Sequence, residues 1–136
     1  MNKIELVLDD NNEFVEKNDS VTHENACKLH LLYQADENLT NSNVISFFPE
    51  VTKGKNVLLV SDFYLSLKRQ CPDICYLDRE VYSDFINDSK AVKLVLDLMN
   101  TGHDVIAAIQ AESKIAAIHN LNSFSLKAVV SQQEIQ

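Results

Sequence analysis

Apolar and polar residues alternate in the first part of the chain, which is typical of half-buried β-strands. Apolar residues occupy every second position from Ile4 to Leu8, and this predicts a strand over residues 3–8. Four turn-forming residues follow, from Asp9 to Asn12, and predict a reversal into a second strand around residues 13–17.

The next segment can be interpreted in two ways. Lys28, His30 and Gln34 alternate with apolar residues, which predicts a half-buried strand over residues 27–33. A helix is the alternative, because positions 26, 29, 32 and 33 also fit helical spacing. We expect a loop over residues 34–43 and a short apolar run over residues 44–48 that Pro49 ends. Residues 1–55 therefore predict three or four antiparallel strands.

From residue 56 onward, strand-like and helix-like segments alternate. The continuous apolar run at residues 56–60 predicts a strand that is covered on both faces. Ser61 and Asp62 are expected to cap a short helix that ends before Pro72. A strand over residues 74–77 follows, and then apolar residues at helical spacing over residues 81–86.

The clearest helical pattern covers residues 90–100, with Asp88 and Ser89 as capping residues. Its apolar residues share one face, namely Ala91, Val92, Val95, Leu98 and Met99. Gly102 is expected to end this helix in a left-handed conformation. Beyond it we predict a strand over residues 105–109 and a last strand over residues 124–130. Between them we predict a helix over residues 111–121, with an inner face of Ile115, Ile118 and Leu121.

This order of elements predicts one α/β domain over residues 1–136, with a central mixed sheet and helices packed on it. The antiparallel strands belong to the strand- and loop-rich part, residues 1–55, and β-α-β alternation covers residues 56–130. The antiparallel strands either extend the same sheet or pack beside it. Residues 131–136 are polar, and we expect a frayed tail.

Composition and charge exclude several functional classes. Two glycines in 136 residues are too few for a glycine-rich phosphate-binding loop. The chain has neither an apolar run that could span a membrane nor a start resembling a secretory signal, so we expect a cytoplasmic protein. A formal charge of −8 without a basic stripe argues against binding to nucleic acids or anionic membranes.

Three cysteines are present, and without a secretory signal we expect reduced thiols and no disulfide. Three residues separate Cys71 from Cys75, whereas zinc-binding and redox motifs have two residues between their cysteines. His23 and Cys27 have no second ligand pair at zinc-finger spacing. The sequence therefore predicts no metal site and no cofactor.

An enzyme or small-ligand binder is the alternative functional class. Ligands of open α/β sheets bind at strand ends, where this sequence places the candidates Asp62, His103 and Gln110. Simpler roles compete, since Asp62 can cap a helix and His103 can interact with a helix C-terminus. A cysteine nucleophile with His103 or His119 would require the fold to bring the two side chains together. No catalytic motif is complete, so we do not predict an enzyme.

The sequence favours a small acidic protein-binding module: an adaptor, a regulatory subunit, a chaperone, or an inhibitor or immunity-type protein that neutralises a basic partner. Asp9, Asp10 and Glu13 are candidate contacts, although acids in a turn can also serve solvation alone. A second candidate is an apolar patch of Tyr33, Phe47 and Phe48. A nucleic-acid-mimicking inhibitor is a further alternative, but −8 is modest for an imitation of phosphate spacing.

Overall fold

The computed structural model describes residues 3–17, 27–34, 39–60, 74–77 and 89–123. In these ranges one six-stranded mixed sheet is accompanied by four helices, which confirms the predicted α/β class. The strands are β1 (Lys3–Leu8), β2 (Phe14–Glu16), β3 (Leu29–Leu32), β4 (Val57–Val60), β5 (Ile74–Leu77) and β6 (Asp104–Ala108). The helices are α1 (Asn41–Ser46), α2 (Pro49–Thr52), α3 (Ser89–Asn100) and α4 (residues 114–123).

The strands lie in the order β2-β1-β3-β6-β5-β4. β1 is antiparallel to both β2 and β3, whereas β3, β6, β5 and β4 run parallel to one another. Because β3 pairs directly with β6, the N-terminal strands extend the same sheet rather than pack beside it. The antiparallel set predicted for residues 1–55 has three strands in the described part of the chain.

Each face of the sheet has its own apolar core, since side chains alternate between the two faces along each strand. One core includes apolar residues of α3 and α4, with strand residues that include Leu6, Leu29, Leu31, Cys75 and Val105. The other core includes Val44 of α1 and Phe48 at the start of α2, with Leu32, Ile74, Tyr76, Ile106 and Ala108 from the sheet. The sheet is therefore the middle layer of three.

The end of α3 confirms the prediction made for Gly102, which has a φ of +96°. The backbone N–H of Gly102 donates to the carbonyl of Met99 at 3.2 Å. The N–H of His103 donates to the carbonyl of Leu98 at 3.0 Å. These two bonds form a Schellman motif, which satisfies carbonyls that the helix leaves free. The predicted apolar stripe of α3 is buried along its whole length.

Residues 41–46 and 49–52 are helical, so the predictions of a loop over 34–43 and of a short apolar run over 44–48 are corrected. Thr40 caps α1, because its Oγ1 accepts a hydrogen bond from the N–H of Asn43 at 3.2 Å. The N–H of Thr40 in turn donates to Asn43 Oδ1 at 3.4 Å, which completes a capping box. Pro49 begins α2 instead of ending a strand, since proline fits the first turn of a helix.

β3 is a strand, which decides between the two alternatives for residues 27–33. The predicted half-buried pattern is wrong, because β3 lies between β1 and β6 and all four of its residues are buried. His30 is only 5% exposed as a result.

Two further predictions of burial are wrong. Leu59 of β4 is 46% exposed, because β4 is the terminal strand of the described sheet and is not covered on both faces. Ile115 is 78% exposed, whereas Leu121 of the same predicted face is fully buried and Ile118 packs against the first core. Ala117 takes the buried position expected for Ile115. Ser113 caps this helix by accepting the N–H of Ala116 at 3.1 Å, so α4 begins later than predicted.

Several predictions lie outside the described residues. These are the Asp62 cap with its helix, the environment of Cys71, the helical spacing at residues 81–86, the strand over 124–130 and the tail over 131–136. Among the helices of the described ranges, none combines the length and the apolar character needed to cross a membrane.

Candidate functional site

The β1–β2 hairpin holds the predicted acids in a defined turn. Asp9 Oδ1 accepts hydrogen bonds from the N–H groups of Asn11 at 2.9 Å and Glu13 at 3.0 Å. The N–H of Asn12 donates to the Asp9 carbonyl at 3.0 Å, and Asn12 has a φ of +61°. Asparagine adopts this left-handed conformation more readily than most residues, and it is typical of a three-residue hairpin loop. The carboxylate of Asp9 therefore stabilises the turn.

Asp10 and Glu13 are exposed on this hairpin, and within the described ranges neither carboxylate has an ion-pair partner. Four other acids do pair with a lysine, at N···O distances of 3.1 to 3.9 Å. These pairs are Glu5–Lys17, Glu16–Lys114, Glu50–Lys3 and Asp97–Lys93. Of the four acids without an ion-pair partner in the described ranges, Asp9, Asp10 and Glu13 lie on the hairpin and only Glu112 lies elsewhere.

The predicted aromatic patch does not form one exposed surface. Phe48 is only 2% exposed and packs in the second core, while Tyr33 and Phe47 are half-buried. Lys3 Nζ donates to the Phe47 carbonyl at 2.7 Å and lies 5.4 Å from the Phe48 ring centroid. Because Lys3 and Asp9 flank the two ends of β1, the aromatic and acidic candidates are about 20 Å apart along the strand.

The candidates for a ligand site are not brought together either. His103 precedes β6 and Gln110 follows it, so they lie beyond opposite ends of this strand. His103 Nδ1 is 3.2 Å from the hydroxyl of Thr101, which itself lies 3.0 Å from the Leu98 carbonyl. His103 thus lies at the C-terminal end of α3, which agrees with the structural role that the sequence analysis gave it. Asp62 lies outside the described residues.

A polar cluster that the sequence reasoning missed surrounds His30. Its Nδ1 is 3.9 Å from Glu5 Oε1, and its Nε2 is 4.0 Å from Asp104 Oδ2. The Phe48 ring meets the imidazole edge-on at a centroid distance of 6.2 Å. A metal ion on one ring nitrogen would face only one of the carboxylates, and the described ranges contain no group of three potential ligands arranged for a metal. The buried imidazole of His30 therefore lies between two more exposed carboxylates.

Asp104 connects this cluster to the start of β3. Its Oδ1 accepts the N–H of Lys28 at 2.9 Å. Burial raises the pKa of Asp104, but the nearby His30 side chain, the hydrogen bond from the Lys28 backbone and the charges of both residues outweigh burial and lower that pKa below its ordinary value. Asp104 is therefore held as a carboxylate. In the sequence, the only local indication of this role of Asp104 is its position directly after Gly102 and His103.

The two described cysteines are free thiols. Burial raises the pKa of Cys75 to about 11. Burial and the negative charge of Asp104 raise the pKa of Cys27. A thiol with a raised pKa is a weak nucleophile at neutral pH, because the thiolate is the reactive form. Their environment is that of packing residues.

The geometry of the hairpin is therefore the best-defined feature that could serve binding.

Comparison of the chain with protein families, with curated proteins and with solved structures finds no match.

Proposed function

We propose that this chain is a non-enzymatic protein-binding domain that contacts a basic partner through its β1–β2 hairpin. The observation that supports the proposal is the pairing pattern of the acids. Asp10 and Glu13 are exposed without a cationic partner in the described ranges, while four other acids are neutralised by lysines.

Electrostatics gives these two carboxylates a role in encounter. The whole chain has a formal charge of −8, which attracts a basic protein over several ångströms at moderate salt. Because exposed charges lose little solvation before contact, they act mainly on the association rate. The net charge attracts the partner without orienting it, and contact with the hairpin carboxylates then fixes the partner's orientation on the domain.

The turn also lowers the entropic cost of binding. Asp9 bonds two backbone N–H groups of the turn, so the loop conformation exists before the partner arrives. Groups that are held in place before binding lose less freedom when the complex forms.

The first experiment locates the interface in the native cell. A photo-crosslinking amino acid replaces Asn11 at the hairpin, and in a matched variant it replaces His119 on the exposed side of α4. We expect one protein to be cross-linked from position 11 and not from position 119. Cross-linking of the same protein from both positions with equal yield would contradict the proposed surface.

The second experiment measures association with the cross-linked protein after its purification, by surface plasmon resonance at about 0.05 and 0.5 M salt. Glu13→Lys is compared with Glu112→Lys, which makes the same charge change at an exposed acid beyond the opposite end of the sheet. We expect Glu13→Lys to lower the association rate and its salt dependence more than Glu112→Lys. Equal effects would show that net charge alone matters. Loss of the partner's own activity in the complex would favour an inhibitor over an adaptor.

A further inference from the structure

The outer side of β4 presents backbone groups that could pair with another strand. Val57 lies opposite Ile74 in the parallel register, and the N–H of Ile74 donates to the Asn56 carbonyl at 3.1 Å. In such a ladder, alternate residues direct their N–H and C=O groups to opposite sides. The N–H and C=O groups of Val57 and Leu59 therefore point away from β5. No other strand of the described sheet lies on that side.

The opposite edge of the sheet is protected by contrast. On β2, the side-chain amide of Asn122 bonds to both the N–H and the C=O of Phe14, at 2.7 and 3.0 Å. A strand that approached β2 would have to displace these bonds. Protection of edges is how proteins commonly avoid unwanted strand pairing. On β4, by contrast, none of the described side chains bonds to the backbone of Val57 or Leu59.

The side chains of β4 fit the same interpretation. Leu59 is one of two large apolar residues exposed in the described ranges, at 46%. Its neighbour across the β4–β5 pair, Tyr76, is fully buried. An additional strand beside β4 would cover Leu59 and would complete the sheet on this side.

We infer that β4 pairs with β4 of a second copy of this chain, antiparallel and around a two-fold axis at Leu58. In this register Val57 lies opposite Leu59 of the other copy, and the reverse pair is equivalent by symmetry. Both residues direct their backbone groups outward, so each pair exchanges two hydrogen bonds. Both side chains lie on the same face, so the contact covers Leu59 in each copy. A closed dimer with one continuous sheet results.

Charge selects this register over a parallel one. Residues 51–60 contain Lys53 and Lys55 and no acid, in a chain whose formal charge is −8. Antiparallel pairing sends these lysines to opposite ends of the contact, with the two Lys55 residues about 20 Å apart along the strands. That separation exceeds the screening length of about 8 Å at physiological salt. The attraction that remains is between these lysines and a second copy whose formal charge is −8.

The test is the oligomeric state of the full chain by sedimentation equilibrium over about 1 to 100 µM. The wild type is a dimer at the upper end of this range, and Leu59→Lys weakens the dimer at least about tenfold, because it places a charge in the contact. Ile115→Lys is the matched control, since it adds the same charge at the other large apolar residue that is exposed in the described ranges, and it leaves the dimer intact. A monomeric wild type at 100 µM overturns the inference, and so does a dimer that Leu59→Lys leaves unchanged.

Amide hydrogen exchange of the unmodified chain is a second test, and it does not depend on a variant that folds. The N–H groups of Val57 and Leu59 are protected in the dimer and exchange faster on dilution, while the N–H of Leu58, bonded within the sheet, changes little. Exchange of Val57 and Leu59 that is independent of concentration overturns the inference. Neither test involves the hairpin, so their outcome is separate from that of the proposed function.

Discussion

The side chain of Asn122 bonds to both backbone groups of Phe14 on the outer edge of β2. Its Oδ1 accepts the Phe14 N–H at 2.7 Å, and its Nδ2 donates to the Phe14 carbonyl at 3.0 Å. An amide carries one acceptor and two donors, so it can take the place of a neighbouring strand. The same contact holds α4 against β2, beside the ion pair of Lys114 with Glu16 at 3.1 Å.

Asn122→Ala should therefore destabilise the fold by about 1 to 3 kcal/mol, because two hydrogen bonds are lost and the Phe14 backbone is left without them. Urea unfolding followed by circular dichroism measures the change. Asn120→Ala, on the same helix and without such a bond to the β2 edge, should cost less than about 0.5 kcal/mol. Equal losses for the two variants would mean that the Asn122 contact is not formed in solution.

The burial of α3 and α4 predicts a contrast between two similar truncations. Leu98→Ala removes a fully buried side chain and should cost about 2 to 5 kcal/mol through lost transfer energy and a residual cavity. Ile115→Ala removes an exposed side chain and places a better helix former in α4, so it should change stability by less than about 0.5 kcal/mol. Thermal or urea unfolding of both variants is the measurement. A large loss at Ile115 would mean that α4 is rotated relative to the sheet.

Asp104 should make stability depend on pH in the acid range. Its pKa in the folded chain is lowered, so its contribution is present above the pKa of the unfolded chain and is lost as pH falls through the folded value. Asp104→Asn keeps an acceptor for the Lys28 N–H but removes the charge. The difference in unfolding free energy between wild type and Asp104→Asn should therefore be largest near neutral pH and should shrink below about pH 4. A difference that is constant from pH 2 to 7 would contradict this assignment.

Gly102 should resist substitution because of its backbone and not because of its surroundings. A Cβ built at this position has no atom within 4 Å, but the φ of +96° is strained for a residue with a side chain. Gly102→Ala should therefore cost about 1 to 2 kcal/mol. Gly102→Asn should cost less, since asparagine tolerates left-handed conformations better. Equal costs for alanine and asparagine would point to a side-chain clash instead.

Local chemistry was enough to predict the elements whose determinants lie close together in sequence. The hairpin after β1 follows from a run of turn formers, and the end of α3 follows from Gly102. α1 was missed although its signal is also local. Thr40 and Asn43 form a capping box with asparagine in the place of the usual glutamate or glutamine, and the apolar run after them resembled a strand.

Candidate site residues were predictable only where a single turn contains them. Asp10 and Glu13 lie on the hairpin that the sequence indicated. The buried position of His30 depends on β6, which lies more than seventy residues later in the chain, and Asn122 acts on Phe14 across 108 positions. Periodicity within a window of ten residues contains no information about such pairs.

The sequence by itself determined the α/β class, the turn at Asp9 to Asn12 and the apolar stripe of α3, since each depends on neighbours within a few residues. Only the tertiary structure decided which strands are central and which are terminal. That order buries all of β3, including His30, and leaves Leu59 of β4 exposed. The physical reason is that a strand's burial is set by the layers and strands beside it, and these are chosen by packing free energy summed over the whole chain.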